Sequence, residues 1–278
     1  MRPSYVRVFL TFARNSLIRD MMFPANFLIE SFSSIGWMLM NLGFYLLIFR
    51  YTDYIGAGVK DGSAWDQYQF FVFIATTMFI NSLVQAFFMP NAQEFSELIR
   101  TGGLDFALLK PIDTQFLVSL HRFSWSSLAN FGVALLLLTF AVPRLEGYTP
   151  QWWHLALYIV YLGVGVLILY SLMISMAATS IWLGRNQSLY NFWFYITNFS
   201  RYPMEIYRGP WGTPLRNIFT FVIPILVVIN VPARMIAKPL QAEYAYLAIF
   251  ALLAMVVCLL ASRWIFRQSL GSYRSASS

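Results

Sequence analysis

Residues 214–236 read PLRNIFTFVIPILVVINVPARMI, and their interpretation sets how many times the chain can cross a bilayer. A helix needs about 20 apolar residues to traverse the hydrocarbon core, so the run is long enough to span. Yet it opens with Pro214, carries Pro224 and Pro232 inside, and is followed by Pro239. Each interior proline removes a helix hydrogen bond and crowds the preceding turn. The segment therefore reads as a hairpin that dips into the membrane and returns to the same side. Irregular backbone at membrane depth survives only where protein or a cavity surrounds it, which directs the hairpin to a subunit interface or a pathway.

Outward from this hairpin, five runs meet or approach spanning length: 27–49, 68–89, 116–142, 152–183 and 244–266. A sixth, 188–200, is short and aromatic. The basic residues arbitrate among topologies. With a cytoplasmic N-terminus and six spans, Arg2, Arg7, Arg14, Arg19, Arg100, Lys110, Arg122, Arg185, Arg263, Arg267 and Arg274 lie inside, while the two short outer loops hold only Arg50, Lys60 and Arg144. A full crossing by 214–236 would export Arg263, Arg267 and Arg274, against the preference for basic cytoplasmic loops. Against the six-span topology stand Arg201, Arg208, Arg216, Arg234 and Lys238, which it leaves outside. The expectation is an all-α polytopic membrane protein of one domain over 1–278. It has six transmembrane helices, a re-entrant segment within 201–242 between helices five and six, and both termini in the cytoplasm.

Composition agrees. Hydrophobic residues make up 59% of the chain and charged residues 11%, against roughly 25% charged in soluble domains. Such a chain cannot cover its own core with polar surface, so the bilayer is part of its solvent. The net charge of +7 comes from scattered residues with no basic stripe, which fits membrane orientation and excludes a nucleic-acid partner. Cys258 is the only cysteine, which rules out a disulfide within the chain. His121 and His154 are far apart, with no carboxylate at ligand spacing, so no metal site is expected. The first long apolar run starts near Phe27 and lacks a small-x-small cleavage pattern, so it is expected to stay as a span. Within 1–24, Val6, Phe9, Leu10, Ala13 and Leu17 recur at helical spacing opposite Arg7 and Arg14, the pattern of a helix lying on the cytoplasmic leaflet. Between spans two and three, 91–111 reads as a short charged helix, a Thr101-Gly102-Gly103 break and an apolar patch ended by Pro111.

Chemistry-bearing motifs are sparse. A phosphate-binding loop needs Gly-x-x-x-x-Gly-Lys-Ser/Thr, but none of the three lysines, Lys60, Lys110 and Lys238, follows a glycine. ATP and magnesium, if used, must bind a partner, and no cofactor is expected on this chain. No serine–histidine–carboxylate set clusters, so no catalytic residues are assigned. The span centres carry no Asp, Glu, Lys or Arg; Glu30 reads as an interfacial carboxylate in the first turn of the first span. Uncharged polar residues are more informative. Gln69, Thr77, Asn81 and Gln85 share one face of span two, and Asn191, Tyr195 and Asn198 one face of span five. Amides turned to lipid would forfeit hydrogen bonds, so both rows either bond other helices or line a pathway. Ser171, Ser175 and Thr179 read as a close-packing row.

Particular residues resemble a known family. Tyr202-Pro203-Met204-Glu205-Ile206-Tyr207, then Phe221-Val222-Ile223-Pro224 and Pro232, resemble the region after the fifth helix of type-2 ABC export permeases. Gly103-Leu104-Asp105-Phe106-Ala107-Leu108-Leu109-Lys110-Pro111 resembles their cytoplasmic loop, and Tyr273-Arg274-Ser275 their terminus. The resemblance implies a permease in the cell (inner) membrane that pairs with a second permease, identical or related, on two ABC ATPase subunits. It implies an ATPase-coupling helix around Glu94, Glu97, Arg100 and Asp105, and a hairpin around Tyr202, Pro203, Pro224 and Pro232. The expected function is ATP-driven export of an amphipathic or apolar substrate. A secondary transporter or channel, and a non-transporting membrane assembly protein, are the rival classes; a copurifying ATPase separates the first from both.

Overall fold

The computed structural model describes residues 4–56, 63–145, 147, 149–183, 195, 197–238 and 242–273. These are helical and turn segments, joined by one isolated antiparallel bridge between Ile55 and Trp65. Among the described residues, five helices are long and apolar enough to cross a membrane, and a sharply bent helix pair makes a sixth if counted as one span.

Helix α1 (Tyr5–Met22) turns Phe9, Phe12 and Ala13 toward the protein and leaves Val6, Leu10 and Leu17 exposed. Pro24 then opens α2 (Pro24–Phe49), a position where proline loses no helix hydrogen bond. The apolar window of α2 has no buried residue. Glu30 lies well inside α2 and accepts from the Ser126 hydroxyl at 2.9 Å, so the first-turn reading of Glu30 is corrected. Helix α3 (Gln67–Phe87) starts on a capping box: the Gln69 amide donates to Asp66 Oδ1 at 2.8 Å, and the Asp66 amide to Gln69 Oε1. Gln69 is thereby a cap, not part of the polar row.

After Phe88 the chain continues as α4 (Met89–Arg100). Gly102 at φ +74° breaks it from α5 (Gly103–Leu108), a backbone conformation that glycine adopts without strain. The break expected at Thr101-Gly102-Gly103 is therefore present. Asp113 caps α6 (Thr114–Leu120) through the Phe116 amide at 3.0 Å. The run 116–142 is not one helix: it is broken by non-helical residues after Leu120, and the spanning part is Ser126–Arg144, which contains α7 (Ala129–Ala141). The turn at the break is tied down from two sides. The Arg122 amide donates to Asn91 Oδ1 at 2.8 Å, and the Phe123 amide to Ser16 Oγ at 3.1 Å.

Helix α8 (Trp152–Ala178) runs on into α9 (Ser180–Leu183). Ser171 and Ser175 bond back to carbonyls of their own helix. Of the short span 188–200, only Tyr195 and residues 197–200 are described; Asn191 lies outside the described residues.

The proline-rich run becomes α10 (Gly212–Asn217), a π-helical turn (Ile218–Val222) and α11 (Ile225–Ala237), with the two limbs bent by 87° at Pro224. Every residue of α11 is buried. Pro232 sits inside α11 without ending it, but it leaves the Val228 carbonyl, four residues earlier, without its helix donor. Gly165 of α8 faces that carbonyl, and a Cβ there would come within 2.8 Å of it. A glycine thus sets the closest approach of α8 to the hairpin. Helix α12 (Ala242–Gly271) completes the fold. The main apolar core joins α3, α7, α8, α11 and α12, and a second one gathers Phe95, Leu104, Leu117, Ile174 and Phe266 where α4, α5 and α6 meet the ends of α8 and α12.

Candidate translocation cavity

Helix α3 presents polar groups to two sides. Thr76 is buried and shares a 3.0 Å hydrogen bond with Tyr158 of α8, so that side is packing. Thr77, Asn81 and Gln85 instead line a cavity of about 210 Å³ together with Ser34 and Asn41 of α2, Asn130 of α7 and Arg201. Thr77 and Asn41 are satisfied by their own helices, through the carbonyls of Phe73 and Trp37. The side chains of Asn81 and Gln85 form no hydrogen bond among the described residues. Asn130 donates to Ser34, but its buried Oδ1 has no partner. The cavity therefore offers amide groups that one chain leaves unused, beside a helix whose apolar window is wholly unburied. Such groups are stable only if water, a ligand or another chain supplies partners. Of the second polar row, Tyr195 is exposed and Asn198 does not line this cavity, while Asn191 lies outside the described residues. Arg201, Asn41, Ser34 and Asn130 join it instead. Ser34, Asn41 and Asn130 reach the cavity from other helices, which polar spacing within one span cannot reveal.

At the end of the bundle that holds the hairpin, three of the unplaced cations, Arg208, Arg234 and Lys238, find partners. Arg234 pairs with Glu205, whose other oxygen accepts from the Trp65 indole at 2.8 Å. Arg234 also stacks on the Tyr244 ring, 3.6 Å from its centroid. The Lys238 ammonium donates to the carbonyls of Ser63 and Ala64, and Arg208 donates to Ser63 Oγ at 2.7 Å. Pro203 is buried and Tyr202 exposed, and the Met204 amide that follows is held by Asn230 Oδ1 of α11 at 2.9 Å. Glu205 is the only acidic residue between Arg201 and Ala242. A lone carboxylate among five cations was the signal for this pair, and reading those cations only as topology markers missed it.

At the opposite end, the expected coupling residues divide. Glu97 and Arg100 pair with each other and stay exposed, with side chains 54% and 67% accessible, whereas Glu94 is 16% accessible and bonds Arg122 at 2.6 Å. Glu94 therefore fastens α4 to the turn after α6. Asp105 is half-buried in α5, next to the exposed Phe106. His121 lies 3.5 Å from Glu94, and burial, then Arg122, Lys110 and Arg19, push its pKa down to about 4. Arg122, not His121, is thus the counterion of Glu94 at neutral pH. Burial raises the Asp113 carboxyl, but hydrogen bonds from Arg263 and the Phe116 amide outweigh this and hold it below its ordinary value.

Apolar helices of spanning length, a bent hairpin with one limb buried, and polar groups confined to a cavity and to the bundle ends define a multi-pass membrane protein of transporter type. The family model for ABC-2 family transporter proteins matches residues 35–277. The chain belongs to that family: it is a non-catalytic membrane permease, of a kind that works with ABC ATPase subunits. No match emerges among curated proteins or among solved structures.

Proposed function

We propose that this permease is half of the membrane part of an ATP-driven exporter in the cell (inner) membrane. ATP and magnesium would bind separate ATPase subunits, and a second permease, identical or related, would complete the route. The cavity on α3 carries this reading. Thr77, Asn81, Gln85 and the orphaned Asn130 oxygen face a space beside α2, the least packed spanning helix. A partner permease laid against that side would enclose the cavity. Alternating access then means that this space opens to one side and then to the other as the ATPases close and reset. A lining of amides and hydroxyls with one arginine suits an amphipathic or apolar cargo. In this scheme the run 188–200 is the fifth of six spans, and the bent pair serves as a re-entrant hairpin. Both termini are cytoplasmic. Glu97, Arg100 and the exposed Phe106 and Leu109 form the surface for the ATPase, with Glu94 and Asp105 positioning it.

A single cysteine at Asn81 in a Cys258→Ala background tests the reading in proteoliposomes that hold the permease and its ATPase. A polar thiol reagent should react with it and block ATP-dependent cargo flux, while ATP binding by the ATPase persists. Labelling to completion with flux unchanged would refute the pathway.

A further inference from the structure

A second cavity, about 220 Å³, lies between the bent hairpin and the start of α12. Glu205, Arg208, Arg216 and Thr220 supply polar lining, and Phe221 and Tyr246 contribute to its apolar part. Both oxygens of Glu205 are occupied, one by Arg234 and one by the Trp65 indole. Arg208 also lines the pocket and holds Ser63 Oγ. Arg216 is half-buried and forms neither an ion pair nor a hydrogen bond among the described residues. Independently, Thr220 is only 2% exposed and its hydroxyl has no partner. A buried hydroxyl and a half-buried guanidinium left unpaired in one lining call for an acceptor from outside the chain. Guanidinium groups match the paired oxygens of phosphate in shape and charge.

The surroundings specify what carries that acceptor. Phe221 and Val222 are exposed on the hairpin, and Phe221 packs edge-on against Phe250 of α12. Tyr246, Ile249 and Leu253 are exposed along one side of α12, at helical spacing. The cationic pocket thus opens beside an uncovered apolar strip on a spanning helix. We infer that the pocket binds the phosphodiester headgroup of an anionic phospholipid, whose acyl chains lie along α12 and the hairpin. Basic pockets between spanning helices are a general means of holding such headgroups. This goes beyond the transport reading, because it requires neither the ATPase nor a second permease. Free inorganic phosphate offers the same oxygens without the chains, so the two sources are separable.

The test uses the full-length permease in a neutral detergent, titrated with phosphatidylglycerol, phosphatidylcholine or inorganic phosphate. Binding is read by native mass spectrometry and by the shift in melting temperature. Phosphatidylglycerol should bind, and Arg216→Gln should weaken it roughly tenfold, the worth of one charge-assisted hydrogen bond. Thr220→Val should melt no lower than wild type without lipid, since it removes an unsatisfied hydroxyl, yet it should bind the lipid several-fold more weakly. A threonine that merely packs would show no such split. Phosphatidylcholine and inorganic phosphate should each bind at least about tenfold more weakly, because one lacks net charge and the other lacks chains. Equal phosphatidylglycerol binding by wild type and both variants overturns the site. Equal retention of phosphatidylcholine overturns the anionic selectivity, and competition by inorganic phosphate at matching concentration overturns the amphiphile.

Discussion

Replacing Glu205 with glutamine removes one charge and almost no volume from the hairpin end of the bundle. Glu205 is 2% exposed and Arg234 10% exposed at their side chains, so water cannot replace the lost partner. Breaking a buried pair from one side leaves an uncompensated charge, which costs about 3–5 kcal/mol. The Tyr244 ring beside Arg234 offsets part of this, since a desolvated cation–π contact contributes about 2 kcal/mol. Glu205→Gln should therefore destabilise the protein by about 1–3 kcal/mol, from the difference of these terms. The exposed Glu97–Arg100 pair makes the internal control: solvent screens it, so Glu97→Gln should change stability little. Adding Arg234→Met to Glu205→Gln removes the stranded charge, and the double variant should recover more than half of the loss. Unfolding in mixed micelles, titrated with a denaturing detergent, gives these differences on one scale. A single-variant cost no larger than that of Glu97→Gln, or a double variant no better than the single, would refute the buried-pair account.

Three further outcomes follow from the geometry. Gly165→Ala places a methyl 2.8 Å from the Val228 carbonyl and should destabilise by about 1–3 kcal/mol, whereas Gly163→Ala, with open space around it, should change unfolding little. His121 is held neutral down to about pH 4 in the folded protein, against about 6.5 when unfolded, so the stability it contributes is full above pH 6.5 and is lost as pH falls toward 4. His121→Gln should flatten that part of the melting-temperature profile; an unchanged slope would contradict the assignment. Charge reversal at the exposed pair, Glu97→Lys with Arg100→Glu, should leave insertion and melting unaltered but reduce ATPase binding at least about tenfold, a loss of the size expected for interface residues. ATPase retention at the wild-type level would remove this surface from coupling.

Much of the fold was legible in the sequence because a bilayer demands long apolar runs and glycine or proline where they break. The break at Gly102 and the bend at Pro224 were readable from residue type alone. The split of run 116–142 was not, because His121–Trp125 is short and its ends are fixed by Asn91 and Ser16, which are remote in sequence. Burial was harder still. Helices α11 and α12 are comparably apolar, yet α11 is enclosed on all sides and α12 exposes Ile249, Leu253 and Val257. Apolarity does not separate lipid from protein as a neighbour when lipid is as apolar as leucine. For the candidate site, the α3 row of Thr77, Asn81 and Gln85 was recoverable from four-residue spacing. The contributions of Ser34, Asn41, Asn130 and Arg201 required knowing which helices pack together.

The central claim is that this permease works with an ATPase carried on a separate chain. The most direct measurement is to tag the protein, extract it from its native membrane in mild detergent, and identify what it retains. The account predicts an ABC ATPase in about equal amount, with ATP hydrolysis that disappears when that subunit is stripped away. A permease recovered without any ATPase, and still able to drive cargo flux alone in proteoliposomes, would contradict it.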